Sequence, residues 1–311
     1  MGKKLLSIVI PVYNEEENIN ELVKQLFNFI DKHRRYHFEV IMVENGSNDT
    51  SYKLLTQHAK KDKRIKVLQL SRNFTAEGGL VAGIHFAKGD ALIIMMADLQ
   101  EPLETLDEFI KKWEDGYEII YGIVKKRTGG MVRNFCSAIF YKILNKLTNN
   151  IFPENAADFR LIDKKVYLTI NSMQEHNIYL RGLIAWTGFR QIGIPFDRKK
   201  RFAGESKAYF LPVLNLALNG IFSFSYVPLR VVTFLGIIIT IFSFLLFIYY
   251  FILFIIYGRV VPGLTTIILV MLFMFGLLFF ALGIISEYLL RIYNEVKQRP
   301  NFIVKNKINF D

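Results

Sequence analysis

Between Val231 and Ser286 the chain carries one charged residue, Arg259. Two apolar runs, residues 231–257 and 262–286, fill that stretch and are joined by Gly258-Arg259-Val260-Val261-Pro262-Gly263. Each run exceeds the ~20 helical residues needed to cross a hydrocarbon core ~30 Å thick. Two glycines and a proline between them predict a tight turn. An arginine at mid-membrane costs roughly 2.5–3.5 kcal/mol on insertion scales, so Arg259 is expected at an interface. The chain is therefore expected to contain a transmembrane hairpin, with residues 1–229 and the tail 289–311 on the same side. Basic residues are dense before the first span and recur as Arg291, Lys297 and Arg299 after the second, which assigns that side to the cytoplasm.

Removing residues 230–288 leaves a chain of ordinary globular character. The sequence as a whole is 52% hydrophobic and 22% charged, so the apolar excess is confined to the hairpin. The 28 Phe and 15 Tyr exclude a disordered chain. A single cysteine, Cys136, excludes a fold held by internal disulfides. No signal peptide is expected, because the apolar run after Lys3-Lys4 is broken by Pro11 and Asn14. Leu6 also fails the myristoylation pattern.

The positive charge is concentrated. Residues 119–153 hold Lys125, Lys126, Arg127, Arg133, Lys142 and Lys146 with no acid. Residues 181–207 hold seven basic residues against Asp197 and Glu205, and together the two stretches account for the whole formal net charge of +11. Such patches suit anionic lipid, phosphate-bearing substrates or nucleic acid.

Residues 5–122 alternate short apolar runs with helical spacing. The runs 6–11, 38–43, 65–70, 91–96 and 118–121 read as buried parallel strands. Residues 15–30, 50–60, 75–87 and 102–113 read as helices, with Pro102 in a first turn. The pattern predicts an α/β fold with a doubly wound, mostly parallel sheet, whose ligands bind beyond the carboxyl ends of the strands. Polar clusters stand at those ends: Tyr13-Asn14-Glu15, Glu44-Asn45-Gly46-Ser47-Asn48-Asp49 and Asp98-Leu99-Gln100-Glu101-Pro102. Neither a G-x-G-x-x-G after the first strand nor a P-loop is present, and Gly79–Gly83 is expected to serve close helix packing. His33 and His37 are expected at a solvated helix end rather than on a metal. In 132–147 apolar residues recur at i, i+3, i+4 and i+7, with Arg133, Lys142 and Lys146 off the stripe; this predicts an interfacial amphipathic helix over about 131–148. A second interfacial helix is expected over about 208–225.

These motifs have a recognisable order. Val9-Ile10-Pro11-Val12-Tyr13-Asn14-Glu15 resembles the opening of family 2 glycosyltransferases, Glu44-Asn45-Gly46-Ser47 their D-D-G-S element, and Ala97-Asp98-Leu99-Gln100-Glu101-Pro102 their D-A-D-L-Q-D-P element. Asp158-Phe159-Arg160-Leu161, Tyr179-Leu180-Arg181-Gly182 and Arg201-Phe202-Ala203-Gly204-Glu205-Ser206-Lys207 resemble the polyprenyl-phosphate branch, which includes bacterial undecaprenyl-phosphate glucosyltransferases and dolichyl-phosphate mannose synthases. The resemblance spans residues 6–296. Two positions depart from it: Glu44 replaces an aspartate, and Met96 stands where the first acid of D-x-D is usual. A thioether is a poor ligand for a hard cation.

The resemblance implies a GT-A-like fold and inverting transfer of a sugar, best glucose from UDP-glucose, to undecaprenyl phosphate at the cytoplasmic face of the inner membrane. It implies a divalent cation, Mg²⁺ or Mn²⁺, on Asp98 and Gln100. Pro11, Tyr13, Asn14, Glu15, Glu44, Ser47 and Asp98 are then candidates for the nucleotide. Arg127, Arg133, Ser137, Arg181, Arg201, Ser206 and Lys207 are candidates for the acceptor phosphate, since arginine makes forked phosphate contacts. Asp98, Gln100 and Asp158 form the catalytic set, Asp158 orienting a sugar hydroxyl or an arginine. The acceptor phosphate is already an anion, so the reaction asks for positioning and leaving-group stabilisation rather than a strong base. Nucleotide sugar, lipid phosphate and membrane are the expected partners; nucleic acid is not, and a homo-oligomer is left open. One alternative is an inactive membrane-anchored nucleotide-sugar or lipid-binding protein, which Met96 alone favours. The other is a polysaccharide synthase, which lacks its Q-x-x-R-W here because Arg181 is followed by Gly182.

Overall fold

The computed structural model describes residues 2–125, 156–173, 175, 179–199, 202, 225, 227–257 and 263–310. Arg127, Arg133, Ser137, Arg201, Ser206, Lys207, the Arg259 turn and the expected interfacial helices (Ser225 apart) lie outside the described residues. The chain divides into two units, one of Met1–Ala217 with Arg299–Asp311 and one of Leu218–Gln298.

The first unit is built on one sheet. Its strands are β1 (Leu5–Val12), β2 (His37–Glu44), β3 (Ile65–Leu70), β4 (Ala91–Ile94), β5 (Ile119–Val124), β6 (Ala156–Asp163), β7 (Gln191–Phe196) and β8 (Val304–Ile308), in the order β7-β5-β6-β4-β1-β2-β3-β8. Strands β4, β1, β2 and β3 run parallel, while β6 lies antiparallel between β4 and β5. The helices are α1 (Glu16–Lys32), α2 (Ser51–Lys61), α3 (Thr75–Phe86), α4 (Thr105–Glu114), α5 (Lys164–Ser172) and α6 (Leu180–Trp186).

The strand interiors are apolar on consecutive positions because both faces are covered. Leu6, Ile8, Ile10 and Val12 of β1 enter a core with α1, α2 and α4, whereas Val9 joins α3, α5 and α6 on the other face. That is the two-residue alternation of a strand with both sets of side chains buried. In α1, Ile19, Leu22, Val23, Leu26, Phe29 and Ile30 form one buried stripe, and Glu16 and Glu17 suit the positive end of its dipole. Helix α3 approaches the sheet closely through glycine. A Cβ on Gly83 would lie 2.3 Å from Val9 Cγ1, and one on Gly79 3.3 Å from Pro11 Cβ. The expected packing role of these glycines holds.

Two expectations change. Pro102 precedes α4 rather than entering its first turn; its carbonyl accepts the Thr105 N–H at 3.0 Å, and the helix starts at Thr105. Strands β6 and β7 were not legible. The segment read as a tail contributes β8, antiparallel to β3, and Ile308, Phe302 and Phe310 pack on the two cores. The reason is edge closure: β3 has one parallel neighbour, and β8 supplies hydrogen bonds to its other side.

The second unit contains α7 (Val227–Tyr257) and α8 (Leu264–Lys297), which pack on each other. At 1.5 Å per residue they are about 46 and 51 Å long. No residue in the most apolar window of either helix is buried inside the protein, and Phe234, Phe279 and Phe280 are more than half exposed. Helices of this length with an uncovered apolar surface can cross a bilayer.

Candidate active site

Strand β1 pairs with β2 on one side and β4 on the other, so the strand order reverses there and a crevice opens beyond the carboxyl ends of β1 and β4. All three polar clusters read from the sequence lie at this edge.

The loops after β1 and β2 are bonded together. The Asn14 N–H donates to Ser47 Oγ (3.1 Å), the Asn48 N–H to Asn14 Oδ1 (2.9 Å), the Glu15 N–H to Ser51 Oγ (3.0 Å) and the Glu16 N–H to Asp49 Oδ2 (3.2 Å). Asn14 adopts φ +52°, a left-handed conformation that asparagine tolerates, and it turns the chain from β1 into α1. Glu44 is buried, and its carboxylate accepts the Ser47 N–H. Asn45 is also buried; its Oδ1 accepts the Phe74 N–H at 2.9 Å and its Nδ2 donates to the Thr75 carbonyl at 2.6 Å. Gly46, at φ +70°, sits where a Cβ would be 2.6 Å from the Arg72 backbone. Glu44, Asn45 and Gly46 thus shape the loop, and Pro11 and Tyr13 beside it are half-buried.

The loop after β4 folds back on itself. Glu101, 6% exposed, accepts the Met96 N–H at 2.8 Å, while Asp98 Oδ1 accepts the Gln100 N–H at 3.2 Å. Leu99, at φ +58°, makes the bend that sets Asp98 and Glu101 in one loop. Burial pushes the Glu101 carboxyl up to about 8, with Asp98 and Asp158 adding to the rise against the Met96 N–H and Arg198. The loop is fastened to the chain leaving β7: the Lys199 N–H donates to the Gln100 carbonyl (2.9 Å) and Gln100 Nε2 to the Lys199 carbonyl (3.3 Å).

Opposite this loop, Asp158 of β6 holds Arg181 of α6 through two hydrogen bonds, from Nε to Oδ1 and from Nη2 to Oδ2. Burial pushes the Asp158 carboxyl up, but Arg181, Arg160 and Arg198 outweigh it and hold the group below the usual carboxylate range. Arg160 is buried, donates Nη2 to the Ala157 carbonyl at 2.8 Å, and is lowered to about 10 by burial. Glu77 of α3 is raised to about 7 by burial and by Asp158, against Arg181 and the Leu180 N–H.

The structure therefore gathers Pro11, Tyr13, Asn14, Glu15, Glu44, Ser47, Asp98 and Gln100 at one sheet edge, and pairs Asp158 with Arg181. The forked side of Arg181, expected on an acceptor phosphate, is turned onto a carboxylate. Glu77, Glu101, Arg160 and Arg198 belong to the same electrostatic cluster and were not singled out. Glu101 and Arg160 stood inside recognised motifs and Arg198 inside the basic stretch 181–207, whereas Glu77 left no sequence signal.

The oxygen chemistry of Asp98 and the Gln100 amide fits a hard divalent cation. Among the described residues no group of three or more His, Cys, Asp or Glu is close enough to enclose an ion. Asp98 and Gln100 by themselves leave most of a cation's coordination positions to other oxygens, such as those of water or a substrate diphosphate.

Residues 7–170 match the family model described as glycosyl transferase family 2. An uncharacterized glycosyltransferase of Synechocystis is 41% identical over 97% of this chain and 95% of its own length. A protein of Shigella phage SfV named bactoprenol glucosyl transferase is 35% identical over 97% of this chain and 98% of its own. Among solved structures, glucosyl-3-phosphoglycerate synthase from Mycobacterium tuberculosis, in complex with Mn²⁺, uridine diphosphate and phosphoglyceric acid, aligns with a TM-score of 0.52. That alignment has 13% identity and covers 70% of this chain and 76% of that one, a likeness of GT-A fold.

Proposed function

The chain belongs to glycosyl transferase family 2, in its polyprenyl-phosphate branch, and from that premise we propose that it transfers glucose from UDP-glucose to undecaprenyl phosphate with inversion at the anomeric carbon. The observation that carries the reading is the meeting of the Asp98–Gln100 loop and the Asp158–Arg181 pair at the strand-order reversal.

Roles for the chain's own groups follow from their positions. Tyr13, Asn14 and Glu15 line the nucleoside end, on a loop that Glu44 and Ser47 hold in shape. Asp98 and Gln100 would hold Mg²⁺ or Mn²⁺. Such a cation supplies neutralisation of the charge that develops on the departing diphosphate. Asp158 orients Arg181, so that the guanidinium is fixed before substrate arrives and costs no reorganisation during reaction. The acceptor brings its own anionic oxygen as nucleophile, and Arg127, Arg133, Ser137, Arg201, Ser206 and Lys207 are proposed to bind that phosphate.

The membrane reading has structural support. Residues before and after the two long helices belong to one sheet through β8, which calls for an even number of crossings. With basic residues flanking the helices, the reading is a hairpin with both flanks cytoplasmic. The proposed domains are accordingly a cytoplasmic catalytic domain, two spans, and a C-terminal segment returning to the domain.

The test is an assay of purified protein with undecaprenyl phosphate and radiolabelled UDP-glucose, UDP-galactose, UDP-GlcNAc or GDP-mannose, reading lipid-extractable label. A product from UDP-glucose that disappears with chelator and in Asp98→Asn is the expected result. Lipid product only from another donor would overturn the sugar, and absence of product from every donor would overturn the transfer itself.

A further inference from the structure

Among the described residues, several cations around the crevice are committed. Arg181 is held by Asp158, and the buried Arg160 donates to the Ala157 carbonyl. On the chain leaving β7, Asp197 pairs with Lys125 at 3.4 Å and Lys199 with Glu104 at 3.3 Å. Arg198 stands between those two pairs. It is exposed, and among the described residues it makes no hydrogen bond or ion pair. Its location is nevertheless constrained. Lys199, the next residue, is bonded to Gln100 through both its N–H and its carbonyl. That bonding holds Arg198 beside the β4 loop, within electrostatic range of Glu101 in that loop and of Asp158 in β6.

We infer that Arg198 is a diphosphate-binding residue, positioned to take the phosphate oxygens of a nucleoside diphosphate held at the Asp98–Gln100 loop. Beside the Asp98 carboxylate a dianionic group meets repulsion, and Arg181 is already paired with Asp158. An uncommitted guanidinium on the rim offsets that repulsion and offers a fork matched to phosphate oxygens. Because the backbone beside it is tied to Gln100, the same loop that presents Asp98 also sets the reach of Arg198. The donor diphosphate is preferred over the acceptor phosphate because Lys199, the residue next to Arg198, is anchored to Gln100 and Glu104 on the β4–α4 connection. This inference rests on the donor-site reading above.

The experiment is calorimetric titration of the full-length protein in detergent with UDP and with uridine, in the presence of Mn²⁺, for the parent, Arg198→Gln and Arg198→Lys. Charge-assisted contacts of this kind correspond to about a ten- to hundred-fold change in affinity. Arg198→Gln should lose about that much for UDP and nothing for uridine, with part of the loss recovered in Arg198→Lys, which keeps the charge without the fork. Unchanged UDP affinity in Arg198→Gln overturns the inference. Equal losses for UDP and uridine overturn it also, since they mark a structural role. Initial rates at varied undecaprenyl phosphate separate the two phosphates: a raised KM for the lipid with UDP binding intact assigns Arg198 to the acceptor instead. A parent protein that binds GDP rather than UDP moves the comparison to GDP against guanosine. One that binds no nucleoside diphosphate overturns the donor reading itself.

Discussion

Glu101 shows how a single carboxyl can record its surroundings. Buried and capped by the Met96 N–H, it is raised to about 8, and Glu77 to about 7. A carboxyl whose folded pKa lies above its unfolded value holds its proton more tightly in the folded state. Its contribution to stability is complete below the unfolded pKa, near the ordinary ~4.3, and is lost as pH rises through the folded one. The melting temperature should therefore decline between about pH 5 and 8, and Glu101→Gln should flatten that decline. A pH scan by differential scanning fluorimetry checks this, and an equally steep fall in the variant would show that Glu101 is not the group responsible. At the same scale, Arg181→Ala leaves Asp158 without its forked partner. Burial then dominates and the Asp158 pKa rises, and loss of a charge-assisted contact should lower stability by roughly 1.5–3 kcal/mol. Denaturant unfolding measures the change, and a loss below a few tenths of a kcal/mol would mean that the pair contributes little.

Helix α3 packs closely on the sheet beside the candidate site. It begins at Thr75 with φ +68°, a conformation that a β-branched residue adopts only under strain. Thr75→Gly should relieve about 1–2 kcal/mol of that strain, less what the added chain entropy takes back, and leave the Asn45 side-chain bond to the residue's carbonyl in place. A net rise in unfolding free energy is the expected result, and a fall would show that the threonine side chain contributes more than its backbone costs. Further along, Gly83→Ala would drive a methyl group to 2.3 Å from Val9 Cγ1 and push α3 off β1, costing roughly 1–3 kcal/mol. If the clash is the cause, Val9→Ala should destabilise the Gly83→Ala background less than it destabilises the parent. Additive effects in that double-mutant cycle would point to some other origin.

At the scale of the molecule, the chain leaves the sheet for two long apolar helices and comes back to it. Strand β8 closes the β3 edge, Asn309 Nδ2 donates to the Ala59 carbonyl at 2.7 Å and the Ile65 carbonyl at 2.8 Å, and Phe310 meets Phe86 with ring centroids 5.6 Å apart. Residues 299–311 are therefore part of the first unit's structure. Deleting them exposes an unpaired strand edge and uncovers Phe86. The truncated protein should melt several degrees lower and aggregate more readily, while a deletion confined to residue 311 should change neither. Light scattering during a thermal ramp distinguishes the two outcomes. Equal stability of the truncated and parent proteins would mean that β8 is dispensable. Topology belongs to the same scale: reporters fused at Met1 and Asp311 should both face the cytoplasm, and opposite locations would sink the hairpin.

What the sequence determined by itself was whatever depends on local periodicity and chain order. Apolar runs uninterrupted by charge define two membrane-length helices. The two-residue and 3.6-residue periods define β1 to β5 and α1 to α4, within a few residues at each end. Polar residues just past strand ends, in a recognisable order, indicate the family and most of the residues gathered at the candidate site's sheet edge. Tertiary structure alone decided the rest, because it depends on which distant segments meet. Val304-Lys305-Asn306-Lys307-Ile308 has too few apolar residues to announce a strand, and becomes one because β3 offers it an unpaired edge. Arg181 could serve a phosphate as far as its residue type is concerned, but the approach of β6 gives its fork to Asp158. Glu77, Glu101 and Arg198 are ordinary charged residues along the chain. The two glutamates take their character from burial and from neighbours up to about 100 positions away, such as Arg181 to Glu77, because a charge in low dielectric is set by those neighbours rather than by its own identity.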